Sequence, residues 1–206
     1  MTHVDEKNYA TTEFDILASE LIKTTVNHDE KGQVIVISPW MKDYAIPLTW
    51  PSFTSNFINI TDMQTSSDIF MLLMKQGVKV SIVTIDPKTL EGKFSPKKVR
   101  ETREFCEKIK YSGGNIIYTN NRNYNHGKLT WTSEHALVGS GNFTNQGRSP
   151  KLLGNTTWQL NVGELIIKSK DARSHEKKRT WALKSIEDPE NEPDVLSALG
   201  ASYALM

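Results

Sequence analysis

The chain has 206 residues, of which 37% are hydrophobic and 24% are charged, and these fractions are ordinary for one soluble globular domain. Its 25 basic and 24 acidic side chains nearly cancel, so whole-chain charge gives no argument for binding nucleic acid. The single cysteine, Cys106, excludes an intrachain disulfide and a cysteine-based zinc site, and it fits a reducing compartment.

The hydrophobic periodicity predicts alternating helices and strands. In chain order, the first half reads as a helix over 10–26, a buried strand over 33–38, a helix over 66–76, a buried strand over 78–85 and a helix over 96–111. The second half reads as strands over 115–118, 128–132, 135–138, 158–160 and 164–167, followed by a helix over 172–186. This order predicts an α/β fold in which helices sandwich a mixed, mostly parallel central sheet.

The ends of the chain complete the expected organisation. We predict one catalytic domain over 1–187 and a loose acidic tail over 188–206. Met1 to Glu6 lacks a basic-then-apolar signal, and no apolar run is long enough to span a bilayer. A cytoplasmic protein without a membrane anchor is the expectation. Cys106 falls in an apolar helical pattern, which favours a buried structural role over catalysis.

The chemistry is concentrated around one predicted hairpin. His126 and Lys128 are two residues apart in an extended segment, so they would project from the same face. The chain returns through Gly139-Ser140-Gly141-Asn142, a turn that supplies a hydroxyl, a carboxamide and backbone N–H groups. A nucleophile or acid, a fixed cation and neutral donors are the groups that displacement at a phosphate ester requires.

His-x-Lys followed by Gly-Ser-x-Asn resembles the signature of the phospholipase D superfamily. The family's usual Asp would fall at Ser133, and the spacing to Gly139 is one residue shorter than in the commonest version. These differences look like those of the metal-independent nuclease branch, so we predict that Ser133 affects support of the hairpin more than the chemistry.

The resemblance implies a mechanism that needs no metal and no cofactor. A single motif would pair with its copy across the two-fold axis of a homodimer, so that one His126 attacks phosphorus and the other protonates the leaving group. Lys128 would hold the non-bridging oxygens, with Ser140 and Asn142 donating hydrogen bonds. Glu164 falls where the family has a group that orients the imidazole, although an ordinary strand end is the equally weighted interpretation.

Basic residues near the motif are possible nucleic-acid contacts, namely Lys97, Lys98, Arg122 and Arg148. A second basic cluster lies over 173–179, and each cluster is also consistent with a solvated helix face. Trp40, Trp50, Trp131 and Trp158 could stack on bases or pack in the core. No histidine and carboxylate pair has the spacing of a metal site.

The sequence therefore favours a metal-independent, homodimeric nuclease that acts on DNA. A phospholipid or other small phosphodiester hydrolase is the first alternative. A catalytically silent nucleic-acid-binding module of the same fold is the second, because Ser133 replaces the family's Asp while His126 and Lys128 are kept.

Overall fold

The computed structural model describes residues 2–4, 9–27, 32–45, 65–120, 128–139, 142–143 and 163–190. The strands are β1 (Thr2–Val4), β2 (Gln33–Ile37), β3 (Lys79–Ile85), β4 (Asn115–Thr119), β5 (Lys128–Thr132), β6 (His135–Gly139) and β7 (Gly163–Ile167). The helices are α1 (Tyr9–Val26), α2 (Ser66–Lys75), α3 (Pro87–Leu90), α4 (Pro96–Tyr111) and α5 (Ala172–Glu187).

The strands form one seven-stranded sheet in the order β1-β7-β6-β5-β2-β3-β4. The predicted α/β class and mixed sheet are confirmed. β2, β3 and β4 are parallel neighbours, whereas the pairs β1–β7, β7–β6, β6–β5 and β5–β2 are antiparallel. Four of the six pairings between the described strands are antiparallel, so the expectation of a mostly parallel sheet is wrong. The short β5–β6 connection, for example, can only join antiparallel neighbours.

Helices cover both faces of the sheet, as predicted, and β2 shows how its sequence produces this arrangement. Val34 and Val36 pack in a cluster with apolar residues of α1, α2 and α4. Ile35 and Ile37 pack on the other side in a cluster that includes Trp181 of α5. Because successive strand residues face opposite sides, an unbroken apolar run is what a doubly covered strand requires.

The predicted elements that lie in the described residues are present, with ends that differ by at most about two residues. β1 and α3 were not predicted, and both are too short, at three and four residues, to show a periodicity. Asp86 caps α3 by accepting from the Lys88 N–H at 2.9 Å, and Pro87 fixes its first turn. The predicted strand at 158–160 lies outside the described residues.

The expectations for Cys106 and for membrane spans can be compared directly with the structure. Cys106 is fully buried in α4, as predicted, and burial raises the pKa of its thiol to about 12. None of the described helices combines the length and apolar character needed to cross a bilayer. The division of the chain at 188 stays a prediction, although Pro189 O accepts from the Thr119 hydroxyl at 2.7 Å.

The turn between β5 and β6 is supported by α1 rather than by an Asp of its own. Glu20 Oε2 accepts from the Ser133 hydroxyl at 2.7 Å and from the Ser133 N–H at 3.1 Å. Lys23 Nζ donates to Ser133 Oγ at 3.2 Å and to Glu134 Oε1 at 2.9 Å. This hydrogen bond from Lys23 lowers the pKa of the Glu134 carboxyl. A carboxylate is thus present at the turn, but it is supplied by residue 20.

Replacing Ser133 with the family's Asp should therefore destabilise this protein. The new carboxylate would face Glu20 at hydrogen-bond distance, a repulsion that the Lys23 ammonium offsets only in part, and we expect the free energy of unfolding to fall by about 1 kcal/mol. In the S133D/E20Q double variant, the amide introduced at position 20 can donate to the carboxylate introduced at position 133, while its oxygen still accepts from the Gln33 N–H. Urea unfolding of both single variants and the double variant should give a favourable coupling energy; additive losses would contradict this account.

Candidate active site

One edge of the sheet collects the strand ends that carry the predicted motif. β2, β3, β4 and β6 end at this edge, and β5 and β7 begin there. Lys128, the first residue of β5, pairs with Gly139, the last residue of β6, and Gly139 also pairs with Gly163. The register therefore brings Lys128 and Gly139, one residue from each half of the predicted motif, to adjacent strand ends.

Lys128 is a buried cation at this edge, with 7% of its surface exposed. It shares a strand face with Thr130, whose hydroxyl donates to Glu13 of α1. The ammonium is thus withdrawn from bulk water on the α1 side of the sheet. A charge held in such surroundings acts more strongly on a nearby anion than a solvated lysine would.

Asn142 follows the motif turn, and its position is fixed by the next residue. The Phe143 N–H donates to Ser38 Oγ at 2.9 Å, and Phe143 O accepts from the Lys42 N–H at 2.9 Å. These bonds attach the segment after β6 to the segment after β2, where Met41 and Phe143 form an isolated parallel bridge. Asn142 is consequently held at the same sheet edge as Lys128.

Phe143 also anchors this segment through its side chain, which is completely buried. Its ring centroid lies 5.0 Å from that of Tyr44, 5.5 Å from that of Phe70 and 5.8 Å from that of Phe105. Aromatic rings at these separations pack favourably. The aromatic residue after Gly-Ser-x-Asn therefore belongs to the core, and it sets the location of Asn142.

Several predicted site residues lie outside the described residues, namely His126, Ser140, Arg122 and Arg148. Their roles stay predictions. Lys97 and Lys98 lie on the exposed first turn of α4, as a contact with a polyanion would require. Among the described residues, no group of three or more histidine, cysteine, aspartate or glutamate side chains could hold a metal ion.

Glu164 lies on the opposite side of the sheet from Lys128. It shares a strand face with Ile166, which packs against Trp181 of α5. Burial lowers the pKa of the Lys178 ammonium on α5, and the Glu164 carboxylate opposes that shift. The structure thus places Glu164 near Lys178 rather than beside Lys128. Its predicted hydrogen bond to the catalytic imidazole stays a prediction.

The second basic cluster is not a continuous surface. His175 and Lys178 are 2% and 4% exposed, and only their neighbours on α5 face solvent. His175 Nε2 lies 3.0 Å from Thr132 O, and its ring packs against Trp131. Arg173, Lys177 and Arg179 of this cluster are exposed, whereas the helical period turns His175 and Lys178 toward the sheet.

Two buried carboxylates of α1 were missed by sequence reasoning. Glu13 is fully buried, and its Oε2 accepts from the Tyr44 hydroxyl at 2.7 Å; Glu20 is 1% exposed at the β5–β6 turn. They are seven residues apart, with Leu17 between them on the same helix face. The sequence does contain a signal for them, because acidic residues seven positions apart within an apolar helix stripe indicate buried carboxylates.

Comparisons with known proteins support the fold and no closer relationship. No protein-family model matches the chain, and no curated protein matches it. Among solved structures, the chain is similar to the polyphosphate kinase from Porphyromonas gingivalis, with a TM-score of 0.50 and 16% identity. The match covers 94% of this chain and 26% of the kinase chain. The protein therefore has a phospholipase D-like fold, of which the kinase is also an example.

Proposed function

We propose that this protein is a phosphodiesterase of the phospholipase D superfamily. Its proposed substrate is nucleic acid, with DNA as the first candidate. The observation that carries the proposal is the pairing of Lys128 with Gly139. This pairing supports the proposal because Lys128 and Gly139 each belong to a different part of the predicted motif, and Asn142 is held at the same edge. The fold shared with a polyphosphate kinase agrees with chemistry at a phosphate group.

The proposed reaction proceeds in two displacements. An imidazole nitrogen of one His126 attacks phosphorus, and the P–O bond to the leaving group breaks as a phosphohistidine forms. A second imidazolium gives its proton to the leaving oxygen. Water, deprotonated by that same imidazole, then cleaves the P–N bond and restores His126.

The protein's other groups would stabilise the charge that develops on the phosphoryl oxygens. The buried Lys128 ammonium would face the non-bridging oxygens, and the Asn142 carboxamide would donate to them. Because these donors are fixed by β5 and by the Phe143 anchor, they need little reorganisation during the reaction. The Ser140 hydroxyl would complete the set.

A direct test compares substrates under chelation. The protein, treated with EDTA, is assayed on plasmid, single-stranded DNA, RNA and phosphatidylcholine vesicles. We expect nucleic-acid cleavage that survives EDTA, since Lys128 and imidazolium supply the charge that a metal would otherwise supply. Strict loss on chelation would contradict the metal-independent mechanism. Cleavage of lipid alone would identify the first alternative, and binding without cleavage would identify the silent module.

The need for two imidazoles predicts a site shared between two copies of the chain. Specific activity should fall on dilution in step with dissociation of the dimer, measured by analytical ultracentrifugation. Excess His126→Ala chains should also inhibit the wild type, because each mixed dimer would lack one imidazole. Excess His135→Ala chains are the matched control and should not inhibit. Full activity in a demonstrated monomer would overturn the shared site.

A further inference from the structure

A cavity of about 430 Å³ opens at the edge of the sheet that carries Lys128 and Asn142. It lies between the segments that follow β2 and β6, the end of β3, and the region from α3 to the first turn of α4, and its lining includes Trp40, Leu90, Lys93, Phe94, Lys98 and Asn142. Its volume is in the range of small-ligand sites. Asn142 belongs both to this cavity and to the proposed phosphate site, so the two are contiguous.

The walls of the cavity are aromatic and apolar. The rings of Trp40 and Phe94 meet edge to face, with centroids 4.3 Å apart. Trp40 is half-buried against a small apolar cluster that contains Leu90, whereas 41% of Phe94 is exposed. The indole packs against this cluster and also lines the cavity, so a planar ring can stack on it once the Lys98 ammonium moves from the ring to the ligand's phosphate.

Cations line the same cavity. Lys98 Nζ lies 4.0 Å from the Trp40 ring centroid and 5.1 Å from that of Phe94. Burial lowers the pKa of the Lys98 ammonium, and the nearby charge of Lys42 lowers it further. Lys98 already lies over this aromatic pair, and Lys93 also lines the cavity. The two ammonium groups would therefore repel a quaternary ammonium headgroup. The charge instead suits a ligand that carries a phosphate.

The Asn142 side chain provides a polar group with unused hydrogen-bonding capacity. Its Oδ1 is buried, and no described residue forms a hydrogen bond with it. A ligand in the cavity that carries an N–H or O–H group can donate to this atom. The cavity therefore offers an aromatic wall, an acceptor and cations to one ligand.

We propose that this cavity holds the nucleobase of the nucleotide next to the scissile phosphate. The inference rests on the proposed function and extends it to the form of the substrate. A base packed against Trp40 cannot be paired or stacked in a duplex, so a double helix must open before it is cut. The protein should therefore cleave single-stranded DNA or RNA in preference to duplex.

The test uses the wild-type protein and a 5′-labelled single-stranded oligothymidine that carries one abasic residue at its centre. A bond adjacent to the abasic residue should be cut roughly tenfold more slowly than the other bonds of that strand, because one stacking contact is lost. The remaining bonds are an internal control. Uniform cutting overturns the cavity's role, whereas no cutting of an intact strand overturns the phosphodiesterase proposal itself.

Variants of the cavity residues test whether the slower cutting next to the abasic residue depends on this cavity. Trp40→Leu should abolish the slower cutting next to the abasic residue. Phe94→Ala should reduce it, and because the Phe94 ring is partly exposed, its removal should destabilise the fold less than the Trp40 substitution does. Tyr111→Ala is the matched control, since Tyr111 is an aromatic residue that is 89% exposed at the other end of α4. An unchanged pattern of cutting in folded Trp40→Leu and Phe94→Ala proteins would refute the inference. Loss of the pattern in Tyr111→Ala would also refute it.

Discussion

Hydrolysis of a phosphodiester should fall by about 10³-fold or more when His126 is replaced by alanine, while the protein stays folded. His126 is the proposed nucleophile in one copy and the proposed acid and base in the other, so the variant loses both functions at once. Single-turnover assays on single-stranded DNA measure the rate. Quenching with SDS at alkaline pH, which preserves the P–N bond, should trap a phosphohistidine in the wild type and none in the variant when the phosphate of the substrate is radiolabelled.

His135→Ala is the matched control for this experiment. His135 pairs with Ile167 at the far end of β6 from Gly139, away from the proposed site. Burial lowers the pKa of the His135 imidazole, so its replacement removes no positive charge near neutral pH. We expect near wild-type hydrolysis. Retained activity in His126→Ala, or equal losses in both variants, would contradict the assigned nucleophile.

Lys128→Met should reduce kcat by about 10²- to 10³-fold, which is the range seen when one group that stabilises transition-state charge is removed. Methionine keeps an unbranched side chain at a position that is 7% exposed, so packing changes little. The loss should appear mainly in kcat rather than in KM, since the proposed contact strengthens as charge develops on the phosphoryl oxygens.

Lys178→Met separates this effect from the general cost of removing a buried lysine. Lys178 is 4% exposed and faces the sheet from α5, on the side opposite Lys128. Its replacement should alter the melting temperature and lower kcat far less than Lys128→Met does, since Lys178 can reach the site only through Glu164. If Lys178→Met lost as much activity as Lys128→Met, the effect would come from the fold, and the role of Lys128 in catalysis would be wrong.

Much of this fold can be read from local sequence patterns. The apolar runs at β2 and β3 specify strands that are covered on both faces, and the hairpin of β5 and β6 follows from alternation around a short turn. The same hairpin leads to the prediction that the two halves of the motif meet. Lys128 and Asn142 are consequently placed at one sheet edge, as their sequence context indicates.

The rest depends on contacts between distant parts of the chain. The contact of Glu20 with Ser133 joins residues 113 positions apart, and no local pattern specifies it. The face on which Glu164 lies depends on the register of β7, since a shift of one residue would reverse it. The cavity beside Asn142 draws on three separate parts of the chain, at 39–40, 85–98 and 142, so the sequence around Trp40 alone could not distinguish a core residue from a ligand contact.

The packing of Phe143 has a consequence for how this protein can evolve. Phe70 and Phe105 touch its ring, although neither belongs to the proposed site. A substitution there could keep the protein stable and still displace Asn142 by enough to slow the reaction. On the proposed mechanism, Phe70 and Phe105 would be constrained by the reaction rate as well as by stability. Phe70 and Phe105 should therefore accept fewer substitutions than other core residues that are equally buried.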